Sequence, residues 1–416
     1  MKNRNMKYLG IIFIVAFFIN LPKPISAAEM SLSVPLELVT PSYAAPWKRY
    51  NQPRWKRNDW KDFSNMRYER SLPIAKPHKF ESPIMGNPEN GKKLVNDRKR
   101  GGSCLACHVF PDASLAGNVG PDLSLIGLWG RSDERLFNYL NDPRQFNPYS
   151  VMPPWGKHKI FTKNEIKDMV SYLKTLTQAS DFKSPEDNPA LRPIPVETRD
   201  NLDPFENPGM FTVELGEELF TTSGRTGKSC QDCHSDEKAF TTWAVTMPKF
   251  ETRLNKIIGI EEFVTRHARA TTGADYLVQS EENLGLATYL RYLANGQIIA
   301  VDFSDEKTQA AIKRGKALTK RKIGQLNFAC MDCHGINANK WIRGQYLVKF
   351  VGVYDHFPTY RTSRGEIWDI RKRFQWCNVS ARANELPPSA PEYGDIEIYL
   401  AIFNNGRILS VPGIRH

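Results

Sequence analysis

The sequence predicts an all-α chain of three small repeated helical units behind an irregular N-terminal arm. Three observations carry this expectation. A Cys-x-x-Cys-His frame occurs at Cys104-Leu-Ala-Cys107-His108, at Cys230-Gln-Asp-Cys233-His234 and at Cys330-Met-Asp-Cys333-His334. Each frame sits between a preceding helix and a closing one, and the closing helices share Tyr172-Leu173, Tyr289-Leu290 and Tyr399-Leu400. Two of them end alike, in Leu293-Ala294-Asn295-Gly296 and Phe403-Asn404-Asn405-Gly406, where Gly suits a helix C-terminus.

In chain order, the first element is a leader. Lys2, Arg4 and Lys7 form a basic start, Leu9 to Leu21 is a short apolar run, and Ser26, Ala27 and Ala28 suit cleavage at residue 28. The alternative is an uncleaved anchor, for which the run is short against the ~20 residues of a membrane span. No later run is apolar enough to span, so the chain is read as exported and not membrane-spanning. Residues 29–81 form the arm, rich in Pro, Trp and Arg (Pro46-Trp47, Pro53-Arg54-Trp55). It packs on the first unit or on a partner, or else is a disordered leader.

The first unit spans 82–178. Its closing helix opens on a capping box, Thr162-x-x-Glu165, and places Ile166, Met169, Val170 and Leu173 at helical spacing. Residues 179–206 form a linker, in a stretch with prolines at 185, 189, 193, 195, 204 and 208 and many acids, which cannot bury a core. It is expected to separate the first unit from the units at 207–298 and 299–416.

The chain has 416 residues, 41% hydrophobic and 25% charged, which is ordinary for a globular protein of roughly two to four domains. Its net charge is +12, with Lys2, Arg4, Lys7 and Lys23 in the leader. A basic surface steers acidic partners, and ordinary solvated lysines account for such a charge equally well. No nucleic-acid motif is present, so no nucleic acid is expected as a partner.

Of seven cysteines, the frames use six and Cys377 stands alone. C-x-x-C-H is the attachment signature of c-type haem. Two thiols at this spacing reach both vinyl groups of one porphyrin, and the next residue points its imidazole at the iron. The units are therefore read as three c-type cytochrome domains in one chain. Three covalent haems are held by Cys104 and Cys107, by Cys230 and Cys233, and by Cys330 and Cys333, with His108, His234 and His334 as proximal axial ligands. Zinc is the rival, but three pairs divide awkwardly into two-pair sites and leave the third His unexplained. A thioredoxin-like redox pair needs a βαβ setting, which the sequence lacks.

The sixth ligands are argued separately. For the first haem Met152 is the candidate, in Val151-Met152-Pro153-Pro154, where the prolines stiffen the loop. Met169 lies on an apolar helix face and reads as core, and His158 is the runner-up. For the second haem the residues leave His267 and Met247 open. For the third, Cys377 follows a helical stretch, Ile367 to Trp376, and shares a helix face with Arg373 four residues earlier. Binding iron would deprotonate and protect a free thiol in an oxidising compartment. The alternative is a buried structural Cys377 with His356 as the ligand.

These residues resemble the SoxAX cytochromes of bacterial thiosulfate oxidation. Residues 82–177 resemble the SoxX subunit through Cys104-x-x-Cys107-His108, Gly117-Asn118-Val119-Gly120-Pro121-Asp122-Leu123 and Met152-Pro153-Pro154. The second half resembles SoxA through Asn207-Pro208-Gly209-Met210, Cys230-x-x-Cys233-His234 and Tyr289-Leu290. More telling are Phe357-Pro358-x-Tyr360-Arg361 and Arg373-Phe374-Gln375-Trp376-Cys377-Asn378. The arm is unmatched. Two departures stand out. The family usually keeps these subunits as separate chains, whereas here they look fused. Two-haem SoxA proteins ligate their first haem with a Cys, whereas the matching segment here carries His267, which implies bis-His ligation. Some family members lack that haem.

The resemblance implies a periplasmic L-cysteine S-thiosulfotransferase. Thiosulfate is joined oxidatively to a cysteine of the SoxYZ sulfur carrier, and two electrons leave through the haems to an acceptor cytochrome c. Cys377 is then the sulfur-handling group, and Arg373 holds the thiosulfate dianion by charge-assisted hydrogen bonds or pairs a haem propionate. Thiolate ligation lowers an iron's potential and Met ligation raises it, so electrons run from the third haem to the first. A plain electron-transfer cytochrome is the main competing reading and needs no sulfur-reactive residue. A dihaem peroxidase is the second and needs an open iron.

Overall fold

The computed structural model describes residues 34–44, 60–98, 103–111, 114–195 and 202–416; the expected leader, 1–28, lies outside them. Residues 36–416 form one unit. Ten α-helices lie among the described residues: α1 (Pro88–Asn96), α2 (Asp133–Asn141), α3 (Lys163–Lys174), α4 (Met210–Thr221), α5 (Lys238–Trp243), α6 (Ile260–Thr271), α7 (Glu281–Tyr292), α8 (Glu306–Lys320), α9 (Ile370–Ser380) and α10 (Pro391–Ile402). The chain is helix-rich, and the all-α expectation omits three small sheets. β1 (Lys249–Glu251) pairs antiparallel with β2 (Lys256–Ile258), and β3 (Trp341–Ile342) with β4 (Gln345–Tyr346). β5 (Thr359–Arg361) lies between antiparallel β6 (Glu366–Trp368) and parallel β7 (Gly413–Arg415).

Around each Cys-x-x-Cys-His frame, the helix before it crosses the helix that closes it: α1 on α3, α4 on α7 and α8 on α10. Each crossing turns on a glycine. A Cβ on Gly91 would lie 2.2 Å from the Asp168 carbonyl oxygen, on Gly216 2.2 Å from that of Gly285, and on Gly315 1.9 Å from that of Asp395. Four residues beyond each of those carbonyls stands the Tyr of a Tyr-Leu pair, and its Cβ packs on the same glycine. The shared Tyr-Leu thus marks backbone-close helix crossings. The first crossing carries the predicted capping box, with Thr162 and Glu165 bonding reciprocally. Ile166, Met169, Val170 and Leu173 are all buried, each contributing about 1.5–3 kcal/mol of hydrophobic stabilisation.

The second and third units repeat in register. Helices α6 and α9 begin at Ile260 and Ile370, and α7 and α10 at Glu281 and Pro391, a constant offset of 110 residues. The hairpins β1–β2 and β5–β6 keep the same offset. The two copies face one another through matching backbone: Gly296 N donates to Leu409 O (3.0 Å) and Gly406 N to Ile299 O (2.9 Å). The contact is isologous, as in a two-fold dimer folded into one chain.

The arm is ordered where described, and it touches all three units. Residues 36–44 lie on the second unit, where Arg266 Nη1 donates to Glu37 O (2.7 Å) and Val278 N to Ser42 O (3.1 Å). Residues 60–67 lie on the third, where Gly324 N donates to Ser64 O (2.8 Å) and Arg67 pairs with Glu392 (2.7 Å). Residues 72–80 lie on the first, where Arg144 Nη1 donates to Leu72 O (3.0 Å) and His78 N to Asn138 Oδ1 (2.8 Å).

Candidate functional site

The first frame forms a tight turn, Cys104–Ala106, and Cys104, Cys107 and His108 all line one cavity. His108 Nδ1 is 2.8 Å from Pro121 O, which fixes Nδ1 as the donor and leaves Nε2 as the nitrogen that could ligate a metal. Gly120 lies flat on the ring, where a Cβ would stand 2.2 Å from Cε1. Burial pushes the Cys104 thiol up to about 12 and Cys107 to about 11. Met152 lines the same cavity, its loop held by a Met152 N to Ser150 Oγ bond of 3.1 Å. Met169 is buried in the core and also lines this cavity. His158, the runner-up, does not line the cavity; its Nδ1 is 2.7 Å from Gln325 O, across the seam to the third unit.

The third frame follows the same plan. His334 Nδ1 is 2.8 Å from Val348 O, and its ring stacks on Phe350 with centroids 5.4 Å apart. Burial, and then the charge of Arg373, push this imidazole down to about 4. Burial raises Cys330 and Cys333 to about 12, and the next cause in both is Cys377, which places that sulfur beside the pair. The helical stretch expected at 367–376 is divided: 366–368 is strand β6, and Cys377 sits inside α9 rather than after it. Cys377 and Arg373 line one cavity with His334, while His356 lines it with Nδ1 3.0 Å from Asp355 Oδ1.

That cavity, of about 1670 Å³, runs without interruption from the first frame to the third. Nine arginines line it, among them Arg343, Arg361, Arg364 and Arg373, and no Asp or Glu does so among the described residues. Trp376, next to Cys377, lies 4.1 Å from the Arg364 guanidinium. A wall of this kind fits two buried haems. It supplies paired thiols, an oriented imidazole at each end, apolar walls, and cations for the propionates with charge to spare for a further anion. Among the described residues no three of His, Cys, Asp and Glu converge on a metal-binding point, so the zinc reading has no site there.

The second frame is separate from this cavity and more open, with Cys233 exposed. His234 and His267 face one another with ring centroids 5.8 Å apart. Two imidazoles bound to opposite sides of one metal, at ~2 Å per metal–nitrogen bond, hold their centroids about 6 Å apart, so this pair fits a shared iron. Met247, the other residue left open, is fully buried. His267 occupies the position of Cys377, and Phe263 that of Arg373. Phe263 stacks on the His267 ring at 5.4 Å. The sequence reading missed this equivalence, although the constant offset between Tyr289 and Tyr399 and between Gly296 and Gly406 carries it.

Residues 215–299 match the family model described as SoxA/TsdA, cytochrome c domain. The chain is 32% identical over 224 residues to the L-cysteine S-thiosulfotransferase subunit SoxA of Pseudaminobacter salicylatoxidans, covering 53% of this chain and 78% of the relative. It is 29% identical over 231 residues to the subunit of that name from Allochromatium vinosum, covering 54% and 80%. The crystal structure of SoxXA from P. pantotrophus superposes with a TM-score of 0.48 at 26% identity, over 51% of this chain and 80% of that one.

Proposed function

The chain belongs to the SoxA family of L-cysteine S-thiosulfotransferase subunits, and we propose that it is a periplasmic three-haem enzyme that joins thiosulfate to a cysteine thiol of the SoxYZ carrier. A thiosulfate dianion and the carrier thiol give a cysteine S-thiosulfonate anion, one proton and two electrons. One S–S bond forms and one S–H bond breaks, and an acceptor cytochrome c finally takes the electrons. When bound, the three c-type haems supply the one-electron acceptors this oxidation needs.

The observation that carries this reading is the convergence of Cys377 and Arg373 with the third frame in a cavity rich in arginine and, among the described residues, without Asp or Glu side chains. Joining two nucleophilic sulfurs requires holding anions together while electrons leave. Arg373 holds the thiosulfate dianion by charge-assisted hydrogen bonds. Cys377 would ligate the third haem iron and serve as the sulfur-handling group. Met152 and His267 complete the first and second sites, and residues 82–178 act as a SoxX-like unit fused in the same chain. With His and Phe in place of Cys and Arg, the second site has neither group that the reaction uses.

The test is turnover of the holoprotein with thiosulfate, reduced SoxYZ and an acceptor cytochrome, read as added mass on the carrier cysteine. Wild type adds the thiosulfonate mass and Cys377→Ala does not. Full product with Cys377→Ala reduces the protein to an electron carrier.

Among the described residues no helix is long and apolar enough to cross a membrane.

A further inference from the structure

The stretch expected to separate the first unit from the others instead joins the first unit to the third, and one buried side chain does most of the joining. Arg192, 8% exposed, donates from Nη2 to Ala116 O (3.0 Å) and Asp187 O (3.3 Å), from Nη1 to Arg343 O (2.5 Å), and from Nε to Glu186 O. Its guanidinium lies 4.7 Å from the centre of the Trp341 ring. Ala116 belongs to the first unit, and Trp341 and Arg343 to the β3–β4 hairpin of the third. The seam it grips runs beside the first haem-attachment turn. Arg343 N donates to Ala106 O (3.0 Å), between the two thiols, and Asn118 N to Trp341 O (3.1 Å). Trp341 N donates back to Asn118 Oδ1 (2.7 Å).

We infer that Arg192 is a positioning residue: it locks the first attachment turn onto the third unit's hairpin and thereby sets the geometry for electron transfer between the first and third haems. The inference rests on the haem assignment above and deepens it. A planar fork with donors pointing several ways can bridge carbonyls from two units and the linker at once, whereas an ammonium on a flexible stem cannot. Arg192 itself does not line the cavity that holds Cys377 and Arg373, so it acts through placement alone.

The experiment compares holoprotein carrying Arg192→Gln and Arg192→Lys with wild type. Hydrogen exchange at the Asn118, Trp341 and Arg343 amides is measured alongside electron redistribution between the first and third haems after flash photoreduction. Both variants are expected to speed exchange at those amides at least 10-fold and to slow the redistribution at least 10-fold. Amides of the α4–α7 crossing and the optical spectra of all three haems stay as in wild type. Unchanged exchange or an unchanged rate in Arg192→Gln overturns the inference, and so does full rescue by Lys. If Arg192→Gln does not fold, Asn118→Ala opens the same seam from the other side, under the same criteria. Electrons are injected by light, so failure of thiosulfate to reduce the wild type refutes only the proposed reaction and leaves the test of Arg192 intact.

Discussion

His267 and Cys377 occupy the same place in two copies of one fold: each is the eighth residue of its helix, α6 or α9, following an equivalent hairpin. Around them the copies differ where the chemistry differs. Cys377 has Arg373 one turn earlier, and His267 has Phe263.

Exchanging the two residues therefore gives an asymmetric result. Cys377→His is expected to give the third site the bis-imidazole spectrum of the second and to lower turnover by more than about 10³-fold, as removal of a reacting group does. His267→Cys is expected to add a second thiolate spectrum but no new activity, because Phe263 offers no cation. Electron paramagnetic resonance with carrier turnover distinguishes these outcomes.

Arg373 is expected to act on thiosulfate rather than on folding. One charge-assisted hydrogen bond contributes about 1.5–3 kcal/mol, so Arg373→Gln should lower kcat/KM for thiosulfate about 10- to 150-fold. Arg373→Lys should recover part of it. The loss should appear mainly in KM at low ionic strength and leave the melting temperature within a few degrees. An unchanged KM in steady-state kinetics assigns Arg373 to a propionate instead.

Acid should loosen the seam at His158. Burial, opposed by its bond to Gln325 O, pushes this imidazole down to about 4. Between its ordinary value near 6.5 and that lowered value, the unfolded chain takes up a proton that the native chain refuses. Stability therefore falls as pH falls through this window, by up to about 3 kcal/mol, and the contribution is flat below it. Thermal melts of wild type and His158→Phe from pH 7 to pH 4 check this. The variant should be about 1 kcal/mol less stable at neutral pH and the difference should shrink or reverse in acid.

Gly117 tests the close approach at the first attachment turn. A Cβ there would lie 2.0 Å from Ala106 O and 2.6 Å from Trp341 O. Gly117→Ala is expected to destabilise by about 1–3 kcal/mol. Gly344→Ala, whose Cβ would meet only the tip of Leu115 at 4.0 Å, should be nearly neutral. Denaturant titration of both variants makes the comparison.

The frames, the closing helices and the candidate ligands were legible in the sequence because covalent chemistry and helical packing leave fixed spacings. The Thr162 capping box and the buried face of α3 follow directly from them. The glycine crossings were missed because a lone Gly in a helix reads as a weak position until its partner carbonyl is known. Arg192 was invisible for a different reason: it binds backbone carbonyls, which every residue has, and so leaves no partner signature in the sequence. Composition described its segment as a spacer, whereas the hydrogen bonds make it a junction. The short sheets escaped notice because strands of two or three residues are too brief for alternation to register.

The arm that touches all three units is made before them, yet one of its contacts can form only late. Its Arg67 closes on Glu392, 325 residues downstream, so that contact waits until helix α10 has been made. Closing so long a loop costs chain entropy before any contact repays it. All three Cys-x-x-Cys-His frames precede Glu392 in the chain, so this clasp between the arm and the last closing helix can shut only after every frame has been made.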